Sequence, residues 1–411
     1  MQAQSKSQRR YDIDAIRVLA VLLLIYFHSA RAFDFEPWHV RNDELSWGLD
    51  LFVTLVSPWH MPLLFLLAGA STFYALGFRS AKQYVGERSR RLLIPLLFGA
   101  AVVIPPQVYF ERIGTWVTTR LSPINFNGSF IEFYPRFFTC CYPKGNLTYQ
   151  HLWFILYLFI FSLLALPLFL GLRTEAGERI VSKLAAFFER GRAIFLLAVP
   201  IAVIEVALRA WFPNWQDLIH DWANNFHYLT IFIYGYLLVA DARFGRAIAH
   251  NKGLALGLGI LASAAYLVVG RFMDAVPYAA EEVVQNALRG EQQMMLVIAG
   301  YVVQKSLRAF GEWCWLVAIL GYGQQYLNKE SKVLRYASEM AYPFYIWHQT
   351  VIVTIGFYVL QWQAGVAVKY LAISIASLVM TILLCELVKL TNVTRFLFGM
   401  KPKVRMEIRG L

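Results

Sequence analysis

The chain has 411 residues, of which 58% are hydrophobic, 16% aromatic and 16% charged. Soluble domains are about half apolar and about a quarter charged, so this composition excludes an ordinary water-soluble protein and indicates a helical membrane protein. The net charge of +12 arises from short basic clusters between apolar runs. That distribution is typical of membrane topology and argues against nucleic acid as a partner.

Ten apolar runs are long enough to cross a bilayer, and they predict an all-α polytopic integral membrane protein with about ten transmembrane helices in one bundle. The runs lie at 15–33, 48–77, 92–110, 152–172, 193–212, 226–241, 252–270, 313–327, 340–361 and 367–391. A further apolar stretch is interpreted as an additional interfacial or buried helix near 292–308. An eleventh span there would place the later basic residues on the outer side.

Basic residues determine the predicted orientation. They precede the first run and fill the loops after the second, fourth and sixth runs. Because such residues favour the cytoplasm, both termini are predicted to be cytoplasmic. The predicted organisation is a cytoplasmic segment at 1–10, a membrane domain at 11–395 and a basic cytoplasmic tail at 396–411. The four cysteines show no zinc-type spacing, and we expect neither a metal nor a permanently bound cofactor.

The first run, "DAIRVLAVLLLIYFHSA", contains Arg17 near its start and His28 near its end. Eleven residues make about three helical turns, so the two side chains share one face and lie about 16 Å apart along the axis. Arg17 either extends to lipid headgroups or lines a polar path. For His28 we favour a functional role. Placing a histidine within the membrane is costly, and its side chain can act as a base near neutral pH. Asp14 is a further candidate beside them.

Arg88, Arg90 and Arg91 precede the third run in "GERSRRLLIPL". Guanidinium groups suit phosphate, although ordinary positive-inside charge explains any one of them equally well. Arg88 and Arg91 lie three residues apart, which favours them over Arg90. For His60, in "SPWHMPLLFLLAGAS", the favoured interpretation is a residue at a helix end, and a catalytic role is the alternative. The small residues that follow it, from Gly69 onward, allow close helix approach.

The ninth run, "SEMAYPFYIWHQT", carries Glu339, Tyr342, Tyr345 and His348 at intervals of three residues. This spacing predicts a polar stripe that enters the membrane from the cytoplasm. The alternative is an aromatic belt with hydrogen bonds between helices. Two further carboxylates, Glu205 and Glu386, lie within apolar runs and either stabilise helix packing or act on a substrate.

Five segments occur in a characteristic order: "YDIDAIRVLAVLLLIYFHS", "WHMPLLFLLAGAS", "RSRRLLIPLLFG", "HLWFILYLF" and "SEMAYPFYIWHQTVIV". Together they resemble the acyltransferase 3 family of bacterial membrane acyltransferases, over nearly the whole chain. Within that family the chain is most similar to the branch that acts on periplasmic glucans. Many members carry Ser-Gly where this chain has Ala68-Gly69, so a role for a serine at that place is not expected.

The resemblance implies an enzyme of the bacterial inner membrane. It would transfer an acyl group, acetyl or succinyl, from cytoplasmic acyl-CoA to a hydroxyl of a cell-envelope or periplasmic carbohydrate. The family pattern makes Arg17 and His28 essential and associates Arg88, Arg90 and Arg91 with the donor. Whether His28 is a general base or an acyl carrier stays open. The rival hypotheses are a transporter or flippase for an anionic solute and a structural scaffold.

Overall fold

The computed structural model describes residues 10–114, 125–142, 144–212, 216–274 and 292–403. These residues form helices and turns, and the described part of the chain contains no strand, only an isolated bridge between Cys141 and Leu147. The prediction of an all-α chain is confirmed for these residues.

Fourteen helices lie within the described ranges. They are α1 (Tyr11–Ala30), α2 (Trp47–Gly77), α3 (Ala81–Ile113), α4 (Phe130–Phe137), α5 (Trp153–Leu164), α6 (Leu166–Leu172), α7 (Glu175–Phe188), α8 (Ala198–Leu208), α9 (Trp222–Ala240), α10 (Ala242–Asp274), α11 (Gln292–Tyr326), α12 (Lys332–Val359), α13 (Val366–Lys389) and α14 (Asn392–Leu397). Two π-helical turns, Ser89–Leu93 and Gly99–Val103, interrupt the regular hydrogen bonding of α3.

Five of these helices, α1, α2, α3, α10 and α13, are long and apolar enough to cross a membrane. Two bent pairs raise the number to seven if each pair forms one span: α5 with α6, bent by 48°, and α7 with Ala193–Leu208, bent by 118°. About ten spans were predicted, so that number is not confirmed. The remaining predicted runs are helical in α9, α11 and α12. They are less apolar because buried polar side chains lie in them, among them His227, Glu312 and His348.

The stretch near 292–308 is not the separate interfacial helix that the sequence predicts. It forms the first half of α11, a continuous helix of 35 residues that runs on through the predicted span at 313–327. The physical reason is that no proline or helix-terminating turn lies between the two halves. Lys305 and Arg308, which were taken as the end of a helix, are interior residues of one.

The described helices fall into two compact units. Unit 1 comprises Met1–Arg17, Ser57–Tyr84 and Ile160–Ser331, and unit 2 comprises Val18–Val56, Val85–Phe159 and Lys332–Leu411. Helices α1, α2, α3 and α5 contribute residues to both units. The domain boundaries predicted from the sequence stay a prediction.

In unit 1, two glycines bring α2 and α9 into backbone contact. A Cβ atom at Gly69 would lie 1.9 Å from the carbonyl oxygen of Phe232, and one at Gly235 would lie 1.9 Å from that of Leu66. Helices in membranes associate through such small residues because lipid supplies no hydrophobic force between them. The small-residue patch predicted from the sequence therefore forms a tight helix crossing.

Replacing Gly69 with alanine is expected to destabilise the protein by about 1–3 kcal/mol. The added methyl group would overlap the backbone carbonyl of Phe232 and push α2 away from α9. Thermal unfolding of the purified protein in detergent measures this change. The matched control is Gly257→Ala in α10, where an added Cβ meets no atom within 4 Å. Equal unfolding temperatures for the two variants would contradict the tight crossing.

In unit 2, α12 packs between α3 and α13 and supplies many buried side chains, including Phe344, Ile346 and Val353. The π-helical turn of α3 at Gly99–Val103 changes which carbonyls are available for hydrogen bonding. The hydroxyl of Thr350 on α12 donates to the carbonyl of Val103, at 2.9 Å. This hydrogen bond holds α12 against α3 close to His348, one of the polar side chains of α12.

Candidate active site

His28 lies in the last turn of α1, and its ring is held by its own helix. Its Nδ1 is 3.1 Å from the carbonyl oxygen of Leu24, so the Nδ1 hydrogen donates to that carbonyl. This tautomer makes Nε2 the proton-accepting nitrogen. The ring stacks on Trp38, with centroids 6.2 Å apart, and lies 5.0 Å from the ring of His348.

His348 and His151 extend this arrangement into a cluster of three imidazoles. His348 donates from Nδ1 to the carbonyl of Tyr345, at 2.6 Å, and His151 donates from Nε2 to the carbonyl of Ile346, at 3.0 Å. The ring centroids of His348 and His151 are 5.0 Å apart. We call His28, His151 and His348 the histidine cluster. Since each ring donates one hydrogen to a backbone carbonyl, each keeps a nitrogen that can accept a proton.

Tyr345 fixes the geometry of this cluster. Its hydroxyl donates to the backbone carbonyl of His151, and its ring lies 5.5 Å from that of His348. The side chain of Tyr345 is buried. The structure therefore brings together three residues that the sequence nominated, His28, Tyr345 and His348. His151 joins them although sequence reasoning did not select it.

A second pair, His39 and Glu111, lies in unit 2 and was also missed. His39 donates from Nδ1 to the Glu111 carboxylate at 2.6 Å. Its Nε2 accepts from the side-chain amides of Gln107 and Gln349, each at 3.1 Å. Because side chains engage both ring nitrogens, the orientation of the His39 ring is fixed. Trp38 connects the two groups, because its ring lies 5.3 Å from that of His39.

Arg112 neutralises the Glu111 carboxylate. Its guanidinium lies 3.5 Å from Glu111, at 2% side-chain exposure, and donates to Asn146 and to the carbonyl of Gly145, each at 2.9 Å. The hydroxyl of Tyr142 also donates to Glu111, at 3.0 Å. Burial, with the nearby carboxylate, raises the pKa of Tyr142, so this hydroxyl stays protonated and remains a donor.

The arginines before the third span differ in their surroundings. Arg91 donates from Nε to the carbonyl of Gly399 at 3.1 Å and pairs with Glu87 at 3.3 Å. Arg88 and Arg91 both act electrostatically on the hydroxyl of Tyr342. Arg90 is exposed. Arg88 and Arg91 are therefore the two arginines associated with the stripe of α12, as their spacing suggests.

The stripe of α12 joins these arginines to the histidine cluster. Glu339, at its start, accepts from Arg395 at 2.6 Å. Tyr342 follows beside Arg88 and Arg91, and Tyr345 and His348 come next. Tyr342 and His348 are six residues apart, about 9 Å along the helix axis. In unit 2 these four side chains follow one another along α12, from Glu339 beside Arg395 to His348 beside the ring of His28.

Arg17, Asp14 and His60 are placed in unit 1. Arg17 donates to Asp14 at 3.0 Å and to the hydroxyl of Ser71 at 2.7 Å, and Ser71 in turn donates to the carbonyl of Leu67. A serine, Ser71, does contact Arg17, but it lies three residues after Ala68 and not at that position.

His60 is buried beside Trp59 and is not a member of the histidine cluster. Its interpretation as a residue at a helix end was wrong, because α2 begins at Trp47 and continues through Pro58 and Pro62.

Comparison with known proteins adds to this geometry. A family model described as an acyltransferase domain matches residues 10–388. The chain is 24% identical to glucans biosynthesis protein C of Salmonella heidelberg (strain SL476) and to that of Salmonella typhi, in each case over 98% of this chain and 97% of the relative. No solved structure gives a significant match. The resemblance seen in the motifs is confirmed, and the chain belongs to the acyltransferase 3 family of membrane acyltransferases.

Proposed function

We propose that this membrane acyltransferase moves an acetyl or succinyl group from cytoplasmic acyl-CoA to a hydroxyl of a cell-envelope or periplasmic carbohydrate. The observation that carries the proposal is the stripe of α12. It leads from Arg88 and Arg91 to the histidine cluster within one compact unit. Such a path suits a donor that binds by its phosphates at one end and reacts at the other. The relatives' printed name, glucans biosynthesis protein C, supports a glucan as the carbohydrate.

In the proposed reaction the phosphates of acyl-CoA bind Arg88 and Arg91, with Arg90 contributing charge at the surface. Arg17 is proposed, from the sequence motif, to be required for the transfer. The pantetheine arm would follow Tyr342 and Tyr345 toward the rings. The thioester carbonyl would then lie near Nε2 of His28, the nitrogen that the Leu24 carbonyl leaves as the acceptor.

Two routes complete the transfer. With His28 as general base, Nε2 takes the proton of the sugar hydroxyl while its oxygen attacks the thioester carbon. The carbon–sulfur bond breaks, and the thiolate of CoA receives the proton. With His28 as carrier, Nε2 first attacks the carbon and releases the thiolate. The hydroxyl oxygen then attacks the acyl carbon, the carbon–nitrogen bond to His28 breaks, and the hydroxyl proton passes to the CoA thiolate, so the ester and free CoA are the same products.

We place the enzyme in the bacterial inner membrane with both termini in the cytoplasm, following the basic loops. The direct test is purified protein in detergent, supplied with acetyl-CoA or succinyl-CoA and a periplasmic glucan, with release of free CoA measured over time. CoA release that requires both the protein and the glucan supports the proposal. Release without glucan dependence, or none with either donor, would contradict it.

Replacing Arg91 with glutamine is expected to raise the KM for acyl-CoA by about 10- to 100-fold with little change in kcat, because a charged phosphate contact contributes about 1.5–3 kcal/mol. Steady-state CoA release at varied donor concentration gives both constants. The matched control is Arg179→Gln on α7, an exposed arginine in a pair with Glu175. An unchanged KM in the Arg91 variant would remove Arg91 from the donor site.

A further inference from the structure

Unit 1 contains a second buried polar cluster, separate from the residues of the proposed reaction. Its members come from the end of α8, from α9 and from the middle of α11. We call Glu205, Arg209, His227, Arg308 and Glu312 the unit 1 cluster. Glu205 and Glu312 have 1% side-chain exposure each, and His227 has 5%. The sequence showed Glu205 only as an isolated carboxylate.

The ring of His227 bridges two carboxylates. Its Nδ1 lies 2.9 Å from Glu205 and its Nε2 lies 2.9 Å from Glu312. A neutral imidazole has one N–H and one lone pair, so it can donate to only one carboxylate. If both carboxylates were ionised, the lone pair would face a negative oxygen. The triad therefore holds one additional proton, either on the ring or on a carboxyl group.

That proton leaves the cluster with one uncompensated positive charge. Among the described residues nearby, the carboxylates are Glu205, Glu312 and the helix-capping Asp221. The matching cations are Arg209, Arg308 and Lys305, which lies one turn before Arg308. Three negative groups balance three positive groups, so the proton of the triad makes the net charge +1. The count is the same wherever in the triad the proton lies.

The three cations differ in their direct contacts within the described part of the chain. Lys305 has no ion pair there, and its Nζ lies over the ring of Tyr301, 5.5 Å from the centroid. Arg209 donates to Glu205 at 2.7 Å and to Asn224 at 2.9 Å.

For Arg308 no hydrogen bond or ion pair occurs within the described ranges, and its Nε is buried and unsatisfied. The side chain of Arg308 is half-buried, and Glu205 and Glu312 act on it electrostatically without a hydrogen bond to it. Its buried Nε is left without an acceptor, which is costly and which an anion would relieve.

From this geometry we infer that the unit 1 cluster is a binding site for a carboxylate-bearing ligand at Arg308. The planar guanidinium matches the two oxygens of a carboxylate, and one net positive charge matches a monoanion better than a doubly charged phosphate. The inference does not depend on the proposed acyl-transfer chemistry. It adds to unit 1 a ligand site of its own.

The experiment is thermal unfolding of the full-length protein in detergent at pH 7, with sodium acetate titrated against sodium chloride at constant ionic strength. A parallel titration uses inorganic phosphate. The variants are Arg308→Gln, which removes the guanidinium, and His227→Gln. The second variant replaces the ring that bridges the carboxylates with a neutral amide, so the bridge no longer requires the added proton and the cluster loses its net positive charge. Arg246→Gln, in an exposed pair with Glu189 on unit 1, is the matched control.

We expect acetate to raise the unfolding temperature saturably in the wild-type protein and in Arg246→Gln. Arg308→Gln and His227→Gln should each need at least tenfold more acetate for the same shift. Absence of a saturable shift in the wild type would overturn the inference, and so would an unchanged response in both cluster variants. Should Arg308→Gln fail to fold, His227→Gln alone decides the outcome. A response to phosphate at lower concentration than to acetate would overturn the carboxylate assignment.

Discussion

Replacing His28 with alanine is expected to lower the rate of acyl transfer by about 10²- to 10⁴-fold, the range that a positioned general base contributes. The Nε2 of His28 accepts protons because Nδ1 is committed to the Leu24 carbonyl. The neighbouring ring of His348 lies 5.0 Å away between centroids and is fully buried, so it does not occupy the same position as His28. CoA release by equal amounts of purified variant and wild-type protein measures the effect.

His220→Ala is the matched control, because His220 is an exposed histidine that pairs only with Asp217 at the surface of unit 1. It should retain the wild-type rate. Wild-type transfer by His28→Ala, at an equal membrane level, would remove His28 from the mechanism. The same preparations distinguish the two routes. A carrier would give labelled protein after a single exposure to labelled acyl-CoA without acceptor, and a general base would not.

Replacing Arg112 with alanine is expected to destabilise the protein by about 3–5 kcal/mol, the range for breaking a buried ion pair on one side. The change would leave the Glu111 carboxylate buried with less compensation. It would also leave Asn146 and the Gly145 carbonyl without their donor. Since Glu111 orients His39, the variant that does fold should also lose much of its activity.

Chemical or thermal unfolding in detergent measures the loss of stability. Arg246→Ala serves as the comparison, because its pair with Glu189 is exposed and such pairs contribute about 0–1 kcal/mol. A loss in Arg112→Ala no larger than that of Arg246→Ala would mean that Arg112 does not support Glu111 in the way its contacts indicate.

Local periodicity was enough to find the residues that share one helix. Three-residue spacing placed Tyr342, Tyr345 and His348 in one stripe, and the structure joins that stripe to Arg91 and His28. The same logic failed for α11. The sequence predicted a helix near 292–308 apart from the span at 313–327, but charges within a helix do not end it when its neighbours favour helix and no proline follows.

Partners distant in the chain were beyond sequence reasoning. His39 lies 72 residues from Glu111 and 310 residues from Gln349, and no period connects them. His151 stood in a recognised motif, yet only the hydrogen bonds between the turn before α5 and α12 bring its ring to His348. In unit 1, Glu205 looked isolated because His227 and Glu312 lie on other helices. Pairs of this kind require the tertiary structure.

The most direct test of the account compares envelope carbohydrates from bacteria that produce the wild-type protein, His28→Ala or no protein. Mass spectrometry of the isolated glycans reads both the acyl group and its acceptor. The account predicts an added acetyl or succinyl mass on a periplasmic or cell-envelope carbohydrate with the wild-type protein. That mass should be lost with His28→Ala. Identical glycan masses in all three strains, or the same added mass with His28→Ala, would contradict it.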